Sequence, residues 1–337
     1  MKHRFTRSLG AFFIVTAAAC GSVSAAAAHY RAYRTSEPIV LDGKPDEAVW
    51  ARVPKTAQLT LATVHGENIV PTHADSAANL YAKAVWDGTA LYLYFWIDEP
   101  YLWNRRTGRD MLGFWMENAV EIYFDDIGDN KRFLEVNMAL NGSITDIYNE
   151  IKYSGTGSNT VLGYDVAGIA TGVAVKGTLC TTYNASSSCN KDLDTGFGIE
   201  VKIPFAPLKA IGPANIDVMG AGFHAPPRNL DSCRINLFYT SCAPKATEPD
   251  NKDRVNYAWE TAVGDDFHET SKFGTMTFVD TVLTGVVTRV AGGDGVVAGH
   301  RKDGRSGVLG VSRNMLGRIK WRPSMHVREQ KGIRTEK

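Results

Sequence analysis

The sequence predicts an all-β protein, an antiparallel β-sandwich of the jelly-roll or immunoglobulin-like kind with few short helices. Short segments in which apolar and polar residues alternate recur along the chain, turn signals separate them, and helical periodicity is sparse. The clearest segment is LGFWMENAVEIYFDD, where Val120, Ile122 and Phe124 alternate with polar residues. A period of two is typical of a strand with one apolar face and one polar face.

The other predicted strands show the same pattern between turn residues. They are Ile39–Leu41, Ala78–Val85, Ala90–Ile97, Val120–Phe124, Phe133–Leu140, Ile144–Tyr148, Thr171–Leu179, Gly198–Ile203, Asp217–Gly222, Arg234–Tyr239 and Thr275–Val279. The tetrapeptide WDGT after Val85 predicts a hairpin turn. Short helices are predicted at Asp46–Val53 and Phe205–Ile211.

The amino terminus has the composition of a secretory signal peptide. Three basic residues precede an apolar stretch at Leu9–Val15, and Ser22–Ala28 offers A-x-A cleavage sites. This stretch is too short to span a bilayer, and we find no longer apolar segment. We therefore expect residues 1–28 to be a leader and the mature protein to be periplasmic, cell-surface or extracellular. Lipid attachment at Cys20 is an alternative, but the leucine expected three residues upstream is missing.

Four cysteines follow the leader, and export favours disulfides between them. Cys180 and Cys189 flank a turn-rich segment that can bring them together. Cys233 and Cys242 flank a predicted strand whose ends would be roughly 30 Å apart, too far for a direct bond. The sequence thus favours a Cys180–Cys189 bridge and leaves cross-pairing between the two segments open.

The charge is unevenly distributed along the chain. From Thr281 onward, 12 basic side chains oppose 4 acidic ones, so the net charge of +1 leaves −7 for the rest. An acidic body argues against nucleic-acid binding. Residues 29–280 are therefore predicted to form one sandwich domain, and 281–337 a basic, disordered tail. Attachment to an acidic surface is the alternative for this tail.

Seven stretches follow one another along the chain: IVLDGKPDEAVWARV, AKAVWDGTALYLYFWIDEP, FWMENAVEIYFD, FLEVNMALNG, GFGIEVKIPF, CRINLFYT and FHETSKFGTMTF. Taken in this order, they resemble family 9 carbohydrate-binding modules. The resemblance covers roughly residues 37–280 and implies a jelly-roll-like sandwich that binds glucans, xylans and small sugars, often at reducing ends. An aromatic clamp holds the sugar in this family, and polar side chains contact its hydroxyl groups.

Pairing of two predicted strands would place several polar residues together. If Phe133–Leu140 pairs with Val120–Phe124, then Glu121, Glu135 and Asn137 share one solvent-exposed face. Trp115 would stand at the edge of that face. Flat aromatic surface suits the apolar CH face of a sugar, and polar groups suit its hydroxyl rim.

The resemblance assigns roles to five residues. Trp115 matches one side of the aromatic clamp, Glu121 a hydroxyl-binding glutamate and Asn137 a binding asparagine. Phe267 stands where the second clamp tryptophan is usual, and Glu135 where the family has a binding arginine. A structural role is the alternative for each: packing for Trp115 and Phe267, ordinary strand positions for the others.

Other aromatic residues are expected to be structural. Trp50, Trp86 and Trp96 occupy motif or strand positions and are predicted to lie in the core. Trp103 and Tyr101 lie in a loop beside two arginines, and an extension of the site is the alternative for them.

The predicted function is non-catalytic binding of an oligosaccharide or polysaccharide. The sequence lacks the common hydrolase, metalloprotease and phosphate-binding motifs. A glycoside hydrolase or the cell surface is the expected partner, and no cofactor is required.

Two other functions stay open. One is a haem-binding electron-transfer domain, for which Met111, Met116, Met138, His224 and His268 are candidate ligands. The other is a module stabilised by structural calcium at loop acids. These acids are Asp98, Glu99, Asp125, Asp126 and Asp129.

Overall fold

The computed structural model describes residues 27–62, 79–151, 160–161, 165–209, 224–242, 254–261 and 267–284, together with short strands between 287 and 321. Thirteen strands of this part form one sheet. They are β1 (His29–Arg34), β2 (Thr60–Leu61), β3 (Leu80–Trp86), β4 (Ala90–Ile97), β5 (Ala119–Asp125), β6 (Lys131–Ala139), β7 (Ile144–Ile151), β8 (Thr160–Val161), β9 (Ala170–Lys176), β10 (Gly196–Pro204), β11 (Ser232–Cys242), β12 (Arg254–Ala258) and β13 (Gly274–Val282).

The sheet curls so that its two halves enclose one apolar core. Its strand order is β8-β7-β6-β5-β11-β13-β1-β3-β4-β10-β9, with β12 and then β2 extending from β11. Alternate side chains of β5, β6 and β11 enter the same buried cluster as those of β3, β4 and β10. The predicted antiparallel sandwich is confirmed. One exception is β1, which pairs in parallel with both β13 and β3.

The helices are few and short, as predicted. The α-helix α1 (Ala48–Arg52) lies inside the predicted Asp46–Val53. Four single-turn 3₁₀ helices occur in the described part, at Phe114–Met116, Ser188–Asn190, Ala206–Lys209 and Thr270–Lys272. The third replaces the start of the helix predicted at Phe205–Ile211, whose last two residues lie outside the described ranges.

The strand predicted at Ile39–Leu41 is wrong. Within the described structure those residues pair with no strand, and the Val40 amide donates to a carboxylate instead, Glu47 Oε1, at 2.7 Å. The strand predicted at Asp217–Gly222 lies outside the described residues, as do Cys20 and most of the predicted leader.

A buried carboxylate on β10 organises the segment that contains DGKPDEAVW. Glu200 Oε2 accepts hydrogen bonds from the backbone amides of Asp42 and Gly43, both at 3.0 Å, and Glu200 Oε1 accepts one from Trp50 Nε1 at 2.9 Å. Gly43 has a φ of +80°, and a Cβ there would lie 2.2 Å from the Ala174 amide nitrogen. The motif is therefore structural: it fixes α1 against the outer face of β4.

The cysteines follow the sequence prediction. Cys180 and Cys189 form a disulfide, with their Cα atoms 5.8 Å apart. Cys233 and Cys242 lie buried near opposite ends of β11 and are not in a disulfide, so neither the direct bond nor cross-pairing occurs.

Beyond β13 the described part of the tail consists of five short strands. β14 (Val287–Thr288), β15 (Val296–His300) and β16 (Ser306–Leu309) form one small sheet, and β17 (Val311–Arg313) and β18 (Ile319–Trp321) another. Within the described residues, no helix has the length and apolar character needed to cross a bilayer.

Candidate functional site

The outer face of β5 and β6 brings the predicted polar residues together. The two strands pair antiparallel, with Glu121 opposite Asn137 and Tyr123 opposite Glu135. The expected pairing and shared face are confirmed. On the other side of β5, β11 continues the face with Phe238 and Thr240.

Both glutamates are held by hydrogen bonds from their own strand and from a neighbouring strand. Glu121 Oε2 accepts one from the Tyr123 hydroxyl at 2.9 Å, and Thr240 Oγ1 lies 3.0 Å from Glu121 Oε1. Glu135 Oε1 accepts one from Asn137 Nδ2 at 2.9 Å, and Asn149 Nδ2 on β7 lies 3.4 Å from Glu135 Oε2. Burial, and then the charges of Glu121 and Glu135, raise the pKa of Tyr123, so its hydroxyl stays protonated beside the two carboxylates.

This face is buried, contrary to the solvent-exposed face that was predicted. Glu121 is 1% exposed, Glu135 6% and Asn137 0%. Alternation along a strand shows only that its two faces differ, and it cannot distinguish solvent from a polar cluster under a cover. In the described structure, part of this cover is residues 267–273, which we call the strap.

The strap lies over β5, β6 and β11. The Phe267 ring packs against Phe238 with centroids 4.6 Å apart, and Phe273 packs against Tyr123 at 6.0 Å. His268 Nε2 lies 3.3 Å from Glu135 Oε2. Thr270 donates from its hydroxyl to Asp125, which fastens the strap to the end of β5.

The environment drives the pKa values of the two glutamates apart. Burial, and then the nearby charge of Glu135, raise the pKa of Glu121 to about 7. Burial also opposes ionisation of Glu135. However, its interaction with His268 and the amide hydrogen bonds of Asn137 and Asn149 outweigh burial and lower its pKa below the ordinary value.

One acceptor in this cluster is unsatisfied. Asn137 Oδ1 is buried and has no hydrogen-bond partner in the part of the chain that the structure describes, although the amide nitrogen of the same side chain binds Glu135. A buried polar atom left unpaired costs free energy, and most buried polar atoms in proteins have a partner. The arrangement therefore suits a ligand that brings a donor.

Comparison with known proteins gives the family. Residues 41–281 match the family model described as "Carbohydrate family 9 binding domain-like". The chain belongs to this family. Its members are carbohydrate-binding domains, in agreement with the function predicted from the sequence. No curated protein matches the chain.

Two similar solved structures are both described as a family 9 carbohydrate-binding module from Caldicellulosiruptor kristjanssonii. The one in complex with cellotriose is 15% identical, with a TM-score of 0.41 over 78% of this chain and 99% of that chain. The one in complex with glucose is also 15% identical, with a TM-score of 0.40 over 75% of this chain and 97% of that chain.

In this family 9-like domain, Trp115 stands at the edge of the polar cluster. It lies in the 3₁₀ turn Phe114–Met116, where Phe114 is buried and Trp115 is partly exposed. The Trp115 carbonyl accepts a hydrogen bond from Arg254 Nη1 at 3.4 Å, and the charge of Arg254 acts on Glu121. The main chain of Trp115 is therefore linked to the polar cluster through Arg254, and His268 approaches Glu135 from the strap.

The sequence interpretation did not include several residues of the cluster. Arg254 and Asn256 on β12 and Thr240 on β11 line the same face, and Thr240 Oγ1 lies 3.0 Å from Asn256 Oδ1. The signal was present in RVNYA, where polar residues alternate with Val255 and Tyr257, but no strand was predicted there.

Several other candidates lie elsewhere in the domain. Trp103 is fully buried and donates to the Cys242 carbonyl beside the disulfide, so it packs in a cluster apart from the two glutamates. Trp50 and Trp86 are core residues as predicted, whereas Trp96 is only partly buried on the outer face of β4.

The candidate haem and calcium ligands are dispersed or have internal partners. Met138 is in the core, Met111 is exposed, and His224 binds Asp231. Glu99 accepts hydrogen bonds from the Tyr239 and Ser241 hydroxyls. Across the described ranges, no group of three or more His, Cys, Asp or Glu side chains is arranged to hold a metal ion.

Proposed function

We propose that this domain is a non-catalytic module that binds an oligosaccharide or polysaccharide on the outer face of β5, β6 and β11. Trp115 provides the stacking surface, and Glu121, Asn137 and Glu135 contact hydroxyl groups. The observation that carries the proposal is that Asn137 Oδ1, buried in a cluster of carboxylates and amides, has no partner among the described residues. The nearby turn at residues 114–116 holds a partly exposed indole.

The chemistry of the cluster fits this role. A sugar presents an apolar CH face to an aromatic ring and a rim of hydroxyl donors and acceptors. Hydrogen bonds from such hydroxyls to carboxylates are charge-assisted and are stronger than neutral ones. The Trp115 carbonyl binds Arg254, and the charge of Arg254 acts on Glu121, so the turn that carries the indole is linked to the carboxylate cluster.

Phe267 forms the second wall of the proposed site. Its ring is 7% exposed because it rests on Phe238, so it provides a fixed apolar wall and not a freely accessible stacking surface. The burial of Glu121 and Asn137 requires the strap to shift when a sugar enters. We propose that the module needs no cofactor and acts outside the cytoplasm, with a glycoside hydrolase or a cell surface as its partner.

Isothermal titration of the chain without its leader tests the proposal. The ligands are glucose, cellobiose, xylobiose and their reduced alditols, and the variant is Trp115→Ala. Loss of one stacking contact costs about 1–3 kcal/mol, which weakens binding about 5- to 150-fold. Binding of the sugars but not of the alditols would indicate recognition of a reducing end.

Trp96→Ala is the matched control, because it removes a partly exposed indole from the opposite outer face. The control is expected to retain full affinity. Equal losses in both variants, or unfolding of Trp115→Ala by circular dichroism, would remove Trp115 from the site. No heat with any sugar in a folded protein would reject the proposed function.

A further inference from the structure

The polar cluster offers a ligand mainly acceptors. Among the described residues of this face, the donors of Tyr123, Asn137 and Asn149 are directed at the two carboxylates, as is the ring of His268. Arg254, the cation on β12, donates from Nη1 to the Trp115 carbonyl. A carboxylate has about four acceptor positions. Tyr123 and Thr240 occupy two positions on Glu121, and Asn137, Asn149 and His268 occupy three on Glu135. Asn137 Oδ1 has no partner among the described residues.

A neutral hydroxyl group is only a partial match for such a surface. Each hydroxyl has one donor and two acceptor lone pairs, and a buried lone pair without a donor loses free energy. An ammonium group has three donors and no acceptor, and it adds a positive charge beside two buried carboxylates. An acidic sugar would bring a third negative charge, and an N-acetylated sugar would replace the ammonium by an amide with its own carbonyl acceptor.

We infer that the site selects a sugar with a free amino group over its neutral, N-acetylated and acidic counterparts. This inference rests on the proposed function and names the substrate class of the same site. The residues that confer it are Glu121, Glu135 and Asn137.

Proton release provides an independent sign of a bound ammonium. The charged or titratable groups near Glu121 in the described structure are Tyr123 on β5, Glu135 on β6, Arg254 on β12 and, through Glu135, His268 on the strap. The pKa of Glu121 is raised to about 7, first by burial and then by Glu135. A bound cation favours the ionised carboxylate, so the amino sugar displaces a proton at pH 6 and a neutral sugar does not.

The test compares three disaccharides that share the β-1,4-linked gluco skeleton: the free-amine glucosamine dimer, its N-acetylated form and cellobiose. Titrations at pH 6 in two buffers of different ionisation enthalpy report affinity and proton release together. Because a charge-assisted hydrogen bond exceeds a neutral one, the free-amine dimer is expected to bind about tenfold more tightly than cellobiose. Binding of the free-amine dimer should release up to one proton from the protein. Glucuronate should compete with neither the free-amine dimer nor cellobiose.

Glu135→Gln removes one charge and keeps the shape of the side chain. This variant is expected to weaken binding of the amino disaccharide more than binding of cellobiose, so that the ratio of the two affinities falls towards one. Glu99→Gln is the control. Glu99 is a buried glutamate in another cluster, where it accepts a hydrogen bond from the Tyr239 hydroxyl, and its replacement should leave the ratio of the two affinities unchanged.

The possible results separate the two proposals. Cellobiose binding that equals or exceeds that of the amino disaccharide, without proton release, would overturn the inference and leave the proposed function intact. A folded protein that binds neither sugar would overturn both. The wild-type titrations decide the inference even if Glu135→Gln fails to fold.

Discussion

Replacement of Trp50 by phenylalanine should destabilise the domain mainly by removing one hydrogen bond to a buried carboxylate. Trp50 is fully buried, and its indole nitrogen donates to Glu200 Oε1 at 2.9 Å. Hydrogen bonds to charged groups contribute about 1.5–3 kcal/mol, and the space left by the smaller ring adds about 1 kcal/mol. The expected loss of about 3 kcal/mol lowers the unfolding midpoint by about 6–12 °C for a domain of this size.

Trp86→Phe is the matched control. Trp86 is also buried, but its indole nitrogen donates to a neutral group, the Ala32 carbonyl, at 3.1 Å. A neutral hydrogen bond contributes about 0.5–1.5 kcal/mol, so this variant should lose about 2 kcal/mol in all. The difference between the losses of stability in the two variants measures how much more a hydrogen bond to a carboxylate contributes than one to a neutral carbonyl.

The dependence on pH makes this test specific. Burial raises the pKa of Glu200 to about 7, and the Trp50 indole acts against that rise. Without the indole, the pKa of Glu200 rises further, so Trp50→Phe should cost more at pH 8, where Glu200 is ionised, than at pH 5. Urea unfolding of both variants at the two pH values is the assay. Equal losses at pH 5 and pH 8, or a smaller loss in Trp50→Phe than in Trp86→Phe, would refute the assigned role of Glu200.

Three further predictions concern stability. First, burial raises the pKa values of Glu99, Glu121 and Glu200 to about 7, above their ordinary value of 4.5. At pH values between these two pKa values, the folded state therefore binds more protons than the unfolded state. The free energy of unfolding should fall as pH rises from about 5 to 7. Glu200→Gln should flatten this slope by up to about 1.4 kcal/mol per pH unit in urea unfolding, and an unchanged slope would contradict the assignment. Second, Cys180 and Cys189 are nine residues apart, so replacing both with serine should cost about 2–3 kcal/mol under oxidising conditions. Dithiothreitol should reproduce this loss in the wild type and leave the variant unaffected. Third, Gly43→Ala should destabilise the domain by more than about 2 kcal/mol, because its Cβ would overlap the backbone of Ala174. Gly88→Ala, with nothing within 4 Å of its Cβ, should change the thermal midpoint little; equal effects would be evidence against the close approach at Gly43.

Local patterns in the sequence predicted most of the strands. Ala90–Ile97 coincides with β4, and the shared face of Glu121, Glu135 and Asn137 follows from alternation once β5 and β6 pair. The Cys180–Cys189 bridge follows from a short turn-rich segment between the two cysteines. Each of these predictions depends on neighbours in sequence, for which the geometry of the chain is nearly fixed.

Strands that pair over long sequence separations were harder to predict. β1 lies between β13 and β3, and β13 is more than 200 residues away in the sequence. The sequence of β1, HYRAYR, has too few apolar residues to predict a strand. The pattern RVNYA of β12 was recognisable only after its partner β11 was known.

The sequence by itself determined the family, the sandwich and the candidate residues Trp115, Glu121, Glu135 and Asn137, because periodicity, cysteine spacing and motif order are local properties. The tertiary structure decided that this polar face is buried beneath the strap, and that His268 and Arg254 act on its two glutamates. It also showed that Glu200 holds the DGKPDEAVW segment. Burial and electrostatic coupling arise when distant segments meet, and alternation along one strand contains no information about what covers it.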